Sequence, residues 1–230
     1  MTAAQTSGAL FLQPWQPDPD LAIEKYRDHA DGYDASAQRT MPLRRRVVAL
    51  LSLAPGDTVL DVACGTGLSL PLLREAVGPA GRVIGVEVSP EMIALARERV
   101  ARAGWDNVSL IQAPMEQADP GAPLDAILFN YTHDVLQSPR ALARIFARAR
   151  PRARVAVAGI KHPSRWLFPL RLYRLLKARP YVTTLQGLQA PWRLLQAYVP
   201  DLRVEPVMLG TNYLARGTVH PAAHFAGTAG

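Results

Sequence analysis

The chain has 230 residues, of which 49% are hydrophobic, and this is enough to bury one large core. A single cysteine, Cys64, excludes an intramolecular disulfide and argues against a cysteine-based metal site, which favours a reducing, cytoplasmic setting. We expect neither a membrane span nor a signal peptide, because no apolar run is long enough and the N-terminus lacks a basic start.

The net charge of +7 is unevenly distributed. The stretch 136–200 contains no Asp or Glu but holds 13 of the 26 basic residues, which leaves 13 basic against 19 acidic residues elsewhere. Solvated arginine-rich helix faces would explain this, and so would a surface that meets an anionic partner such as an anionic membrane. We predict no nucleic-acid partner, because the stretch contains no recognisable binding module for nucleic acid.

The N-terminal part leads into a helix. Residues 1–18 are aperiodic, and we expect a flexible lead-in before a single domain at 19–217. Pro42 marks the start of a helix over 43–53, which has an apolar face. The first strand of the domain follows this helix.

The stretch 58–67 is an apolar strand with a carboxylate at its end and a turn of small residues, and helical spacing follows over 68–77. Such a turn presents backbone N–H groups and the positive end of the helix dipole to a ligand. Leu70 stands where a dinucleotide-binding G-x-G-x-x-G would have its third glycine, which weakens the dinucleotide interpretation. An ordinary strand-to-helix turn without a ligand is the alternative.

A second buried strand, 82–88, ends at Glu87, which lies 20 residues after Gly67. A βαβ unit brings an acidic side chain at this spacing back beside the turn, where it can accept the two ribose hydroxyls of a nucleoside. A solvated charge at a strand end is the alternative. The spacing favours nucleoside binding.

The rest of the chain continues the alternation of strands and helices. Short apolar strands are predicted at 107–112, 126–129 and 153–160, with a helix at 140–150 before the last of them. A polar stretch directly follows the 126–129 strand, where ligands bind in open α/β sheets. Two further stretches, 202–209 and 212–217, predict a terminal hairpin.

The sequence D-V-A-C-G-T-G at 61–67 resembles the donor-binding loop of the class I S-adenosylmethionine (SAM)-dependent methyltransferases, commonly D-x-G-x-G-x-G. Ala63 replaces the first glycine, which is a mild departure if its φ is negative. The resemblance covers about residues 20–217 and implies a Rossmann-like α/β fold with a seven-stranded, mostly parallel sheet and helices on both faces. It also implies SAM as cofactor, held by Asp61, Ala63, Gly65, Gly67, Glu87, Val88, Met115 and Asn130.

The resemblance further implies methyl transfer to a small organic acceptor. His133 is the candidate general base, because an imidazole titrates near neutral pH, and a structural histidine that orders its loop is the alternative. Tyr33 is the second candidate for the catalytic site. The candidate acceptor contacts are Tyr131, Trp166, Tyr173 and Trp192. No clustered spacing predicts a metal site, and Cys64 is expected to pack rather than react.

The stretch 161–199 interleaves apolar and basic residues, and we expect a helical insertion that forms the acceptor site. A homodimer face, a membrane-surface helix and simple packing on the core are the alternatives. Its composition favours a hydrophobic and anionic acceptor, such as a lipid, quinone or aromatic metabolite. Another SAM-fold reaction and a non-catalytic SAM-binding protein at a membrane are the alternative functions. Residues 218–230 are expected to form a mobile tail.

Overall fold

The computed structural model describes residues 40–162 and 187–220. Within them, seven strands form one sheet in the spatial order β3-β2-β1-β4-β5-β7-β6. The strands are Thr58–Val62 (β1), Arg82–Glu87 (β2), Val108–Gln112 (β3), Leu124–Asn130 (β4), Ala149–Ile160 (β5), Arg203–Val207 (β6) and Asn212–Thr218 (β7).

Helices precede β1 and connect β1 to β2, β2 to β3 and β4 to β5, whereas a loop connects β3 to β4. They are Met41–Leu50 (α1), Leu70–Val77 (α2), Pro90–Ala103 (α3), His133–Leu136 (α4) and Pro139–Phe146 (α5), and a short 3-10 helix covers Leu195–Ala197. Local chemistry sets several of their ends. The Ser89 hydroxyl accepts the Met92 N–H at the start of α3, and Gly104 ends that helix with φ 64°.

Strands β1 to β5 run parallel, and β7 pairs antiparallel with both β5 and β6. Strands β2 and β4 are buried along nearly their whole length, on both faces of the sheet, and are therefore nearly continuous apolar runs. One face packs against α1 and α2 through residues such as Val47, Leu51 and Leu73, and the opposite face packs against α5 through residues such as Leu142 and Phe146. The predicted seven-stranded, mostly parallel α/β sheet is confirmed.

Two predicted boundaries differ from the structure. The helix expected at 140–150 ends at Phe146, and β5 already begins at Ala149, because this stretch pairs with β4. The mobile tail was expected from 218, yet Thr218 still pairs in β7. Val219 is buried and donates its N–H to the Ala153 carbonyl at 2.9 Å, so the ordered part extends further than predicted.

Part of the basic excess is explained at the amino-terminal end of β5. Arg148, Arg150 and Arg154 form ion pairs with Asp119, Asp125 and Asp57, which lie outside the acid-free stretch. Three of the 13 basic residues of the stretch are therefore paired with carboxylates from other parts of the chain. In the part of the chain that the structure describes, no helix is both long and apolar enough to cross a membrane.

Candidate functional site

The predicted ligand-binding groups converge at one edge of the sheet. Strands β2, β1 and β4 are neighbours and run parallel, so their carboxyl ends lie side by side. Glu87 ends β2, the turn 63–67 follows β1, and Asn130 ends β4. Ligands of open α/β sheets bind in the crevice beyond such carboxyl ends.

Glu87 is buried and holds the turn by backbone hydrogen bonds. Its Oε2 accepts the Gly65 N–H, and its Oε1 accepts the N–H groups of Val88 and Ser89, all at 2.9 Å. Burial raises the pKa of this carboxyl, and the three N–H donors oppose that rise. A carboxylate offers about four acceptor positions. One position therefore remains for a ligand hydroxyl, where the sequence suggested two.

Asp61 lies inside β1 and is almost completely buried. Burial raises the pKa of its carboxyl to about 7, the positive charge of Arg44 opposes this rise, and the nearby Glu87 carboxyl adds to it. Its Oδ2 has no hydrogen-bond partner among the described residues. A buried acceptor of this kind suits a cationic donor group, such as the ammonium of an amino-acid ligand.

The turn itself leaves open space above Gly65. Gly65 and Gly67 have φ values of 58° and 80°, and a Cβ built on Gly65 would meet no atom within 4 Å. A Cβ on Gly67 would come within 2.6 Å of Leu70 Cδ1, so Gly67 is needed for packing as well as for its conformation. The turn is thus a cradle with room for a ligand at Gly65.

Cys64 packs in the turn as predicted. Its side chain is buried, and its Sγ lies where a Cβ on Gly85 of β2 would come within 2.9 Å. Burial raises the pKa of the thiol well above its usual value, which removes the reactive thiolate. The side chain therefore fills space between β1 and β2.

The expectation for Ala63 was wrong. The replacement of the usual glycine was considered mild if φ were negative, but Ala63 has φ 50°, in the left-handed region. There the Cβ approaches the backbone, at a cost of roughly 1–2 kcal/mol for a residue other than glycine. The turn after β1 therefore carries backbone strain.

Changing Ala63 to glycine is expected to stabilise the protein by about 1 kcal/mol, because it relieves this strain. Urea unfolding of the two proteins measures the difference. Ala94→Gly is the matched control: Ala94 is exposed within α3, where the same change is expected to lower stability by about 1 kcal/mol. A destabilised Ala63→Gly protein would contradict the strain argument.

Two further polar residues of this edge follow β4. Asn130 and Thr132 are buried, and neither the Asn130 amide nor the Thr132 hydroxyl has a hydrogen-bond partner among the described residues. Buried polar groups are normally satisfied, so these groups suit contact with a bound ligand. Thr132 had not been predicted, and its position in the polar stretch after the strand was the available signal.

Tyr131 lies between them with φ 61°, and its N–H donates to the Ala158 carbonyl at 2.7 Å. Its hydroxyl accepts the Asn212 Nδ2–H group at 3.0 Å. Asn212 lies at the start of β7, and its Oδ1 in turn accepts the Thr211 hydroxyl at 3.1 Å. The side chain predicted to contact the acceptor thus also ties the end of β4 to β7.

His133 begins the short helix α4 directly after Thr132, and its side chain is half-buried. It therefore lies on the polar stretch beyond β4, as the sequence indicated. Its role as a general base stays a prediction.

Met115 lies in the turn after β3 and is buried in the cluster around Val86 and Phe129. This position lies beside the ends of β2 and β4 and is compatible with packing against an adenine ring. The next residue, Glu116, accepts the Ser138 hydroxyl at 2.6 Å. Its carboxylate thereby supports the start of α5.

Trp192 is partly buried, and its ring meets Tyr213 of β7 edge-on, with ring centroids 4.7 Å apart. It packs on the core at the place where the predicted insertion rejoins the sheet. The other predicted aromatic contacts, Tyr33, Trp166 and Tyr173, lie outside the described residues. Among the residues described, no group of His, Cys, Asp and Glu could hold a metal ion.

Comparisons with known proteins agree with this arrangement. Residues 59–152 match the family model described as "Methyltransferase domain". A demethylmenaquinone methyltransferase from Symbiobacterium thermophilum is 34% identical over 153 residues, which cover 62% of this chain and 61% of that protein. A nocamycin O-methyltransferase from Saccharothrix syringae is 31% identical over 147 residues, which cover 61% of this chain and 52% of that protein.

Among solved structures, a SAM-dependent methyltransferase from Aquifex aeolicus superposes with a TM-score of 0.58 at 24% identity, covering 89% of this chain and 100% of that one. The chain spans less than two thirds of the length of both curated relatives. The stretch 59–152 is thus similar to a methyltransferase domain, and the chain shares its fold with solved SAM-dependent methyltransferases. The resemblance predicted from the sequence agrees with these similarities.

Proposed function

We propose that this protein binds SAM at the carboxyl edge of β1, β2 and β4 and transfers its methyl group to a small organic acceptor. The observation that carries the proposal is the combination of buried carboxyls at Asp61 and Glu87 with open space above Gly65. The site offers acceptors for an ammonium group and for a ribose hydroxyl, and it offers polar groups at Asn130 and Thr132.

When bound, SAM supplies a methyl group on a positively charged sulfur, which is already activated for in-line displacement. The chain then has only to align the acceptor atom with that methyl carbon, and no covalent enzyme intermediate is needed. Glu87 and the Gly65 turn orient the nucleoside end. Asp61 and the polar groups after β4 orient the amino-acid end.

An acceptor with a phenol, an alcohol or a protonated amine must also lose a proton. We assign this step to His133, which follows the polar groups of β4 at the same edge of the sheet. Exchange of His133 for glutamine would then reduce the rate with such acceptors and leave the affinity for SAM unchanged.

We further propose that the acceptor is hydrophobic and anionic, and that residues 161–199 provide its site. This stretch begins beyond the carboxyl end of β5, which lies beside that of β4. The Lys161 N–H donates to the Thr211 carbonyl at 3.0 Å, and the His162 N–H donates to the Leu188 carbonyl at 2.8 Å. The sequence 163–186 includes five Lys or Arg and no Asp or Glu.

The names of the relatives agree with such an acceptor. A demethylmenaquinone methyltransferase, a nocamycin O-methyltransferase and an aklanonic acid methyltransferase are all similar to parts of this chain. By these names, one relative acts on a quinone and another on an organic acid. We therefore place an aromatic or quinone-like metabolite first among the acceptor classes.

Incubation with methyl-labelled SAM and a panel of hydroxyquinones, phenolic acids and lipid head groups tests the proposal. We expect label in the aromatic acceptors and none without enzyme. Label in no product despite measurable SAM binding would refute methyl transfer and leave a binding protein. Cosedimentation with anionic vesicles at low salt separates a membrane-bound acceptor from a dissolved one.

A further inference from the structure

We propose that Arg44 is a positioning residue of the donor site. Its guanidinium fixes the first turn of α2 through Ser69 and supplies the positive charge that stabilises the Asp61 carboxylate. This inference rests on the proposed function, because Asp61 is placed at the amino-acid end of SAM. Nothing in the sequence pattern marks Arg44, which lies on α1, 17 residues before Asp61.

Arg44 points into the sheet although it is a charged residue of a surface helix. Only 6% of Arg44 is exposed, whereas its neighbours Arg45 and Arg46 are exposed. Its Nη1 donates to the Ser69 hydroxyl at 2.7 Å, and Ser69 is completely buried directly before α2. An arginine is rarely buried unless its charge is compensated, so a partner is expected close by.

Ser69 is used in an unusual way at this helix start. A serine before a helix normally accepts an N–H group of the first turn with its hydroxyl, but here the hydroxyl makes no such bond. It accepts the Arg44 guanidinium instead. The start of α2, which follows the turn with Gly65 and Gly67, is thereby connected to α1.

Asp61 is the carboxyl group on which the Arg44 charge acts. The Arg44 Nε and the Asp61 Oδ2 are both buried, and neither has a hydrogen-bond partner among the described residues. Besides Arg44 from α1, the charged group that acts on Asp61 is Glu87 from β2. Arg44 is the cation of this set, and it opposes the rise in the Asp61 pKa that burial and Glu87 cause.

The arrangement has a consequence for donor binding. Asp61 can accept a ligand ammonium as a strong acceptor only in its ionised form. Because an arginine stays protonated at all relevant pH values, Arg44 keeps Asp61 ionised at a lower pH than burial alone would allow. Arg44 lies outside the matched stretch 59–152, so a residue of the preceding helix completes the donor site.

The test compares Arg44→Met, Arg44→Lys and Ser69→Ala with the exposed control Arg45→Met. Calorimetric titration with S-adenosylhomocysteine from pH 5.5 to 9 gives the affinity and its pH midpoint. We expect Arg44→Met to raise the midpoint by about one pH unit or more. Arg44→Lys is expected to keep the pH midpoint near its original value. Ser69→Ala is expected to weaken binding without moving the pH midpoint.

A second readout does not depend on ligand. The carboxyl carbon of Asp61, followed by NMR in the protein alone, is expected to titrate at higher pH in Arg44→Met and unchanged in Arg45→Met. An Asp61 titration that is the same in Arg44→Met and the unaltered protein would overturn the inference. If Arg44→Met does not fold, Arg44→Lys serves instead. A displaced Asp61 titration in Arg44→Lys would then overturn the inference. Failure of the unaltered protein to bind S-adenosylhomocysteine would instead count against the proposed function.

Discussion

Replacing Glu87 with alanine is expected to weaken SAM binding by roughly 10- to 100-fold, which corresponds to about 1–3 kcal/mol. The side chain holds the N–H groups of Gly65, Val88 and Ser89 in place. In the proposed site it also offers an acceptor to the ribose. Loss of the carboxylate leaves three backbone donors without their acceptor. Isothermal calorimetry with SAM measures the change.

Two variants separate the two contributions. Glu87→Gln keeps the shape and one carbonyl acceptor, but its amide N–H2 group replaces an acceptor that Gly65 requires. We therefore expect this variant to bind SAM weakly. It is expected to unfold at a higher denaturant concentration than Glu87→Ala. Glu98→Ala removes an exposed carboxylate from α3, and its affinity for SAM is expected to be unchanged. Equal affinity for SAM in Glu87→Ala and the unaltered protein would refute the ribose role.

The ligand-free protein is expected to be less stable at pH 8 than at pH 5, and Asp61 is expected to cause about 2–3 kcal/mol of this loss. The pKa of Asp61 is about 7 in the folded protein against a model value of 3.8, so the folded state holds a proton that the unfolded chain has released. The stabilisation from that proton is complete below about pH 4 and is lost as the pH rises through 7.

Asp61→Asn keeps the shape of the side chain and removes its titration. Urea unfolding gives the free energy of unfolding at pH 5 and at pH 8. We expect the difference between these two free energies to be smaller by about 2–3 kcal/mol in this variant than in the unaltered protein. Asp106→Asn, a change at an exposed carboxyl, is expected to leave the difference as it is. The explanation fails if Asp61→Asn has the full pH dependence of the unaltered protein.

The elements of this fold could be predicted from the sequence because their signals are local. The buried parallel strands are short apolar runs, and Glu87 follows from the fixed length of a βαβ unit. Boundaries were less predictable where composition is ambiguous: the Ala–Arg alternation after Phe146 is compatible with a helix and with a strand. The structure shows a strand because that stretch pairs with β4.

Features that depend on packing between distant segments could not be predicted. The left-handed conformation of Ala63 follows from the path of the chain between β1 and the cradle. Alanine is not a residue type that predicts a positive φ. The bond from Asn212 to the Tyr131 hydroxyl joins residues 81 positions apart. Arg44 looks like an ordinary exposed arginine among three in a row, and only the fold turns it toward Ser69 and Asp61.

The hydrogen bond between His162 and Leu188 has a consequence for how such a protein can change its specificity. Because this bond brings the two sides of the stretch 163–186 together, the closure entropy of that stretch depends only weakly on its length. We expect that residues can be added to it or removed from it at little cost in folding free energy. Under the proposed function, a transplanted 163–186 is expected to bring a new acceptor preference to an unchanged donor site.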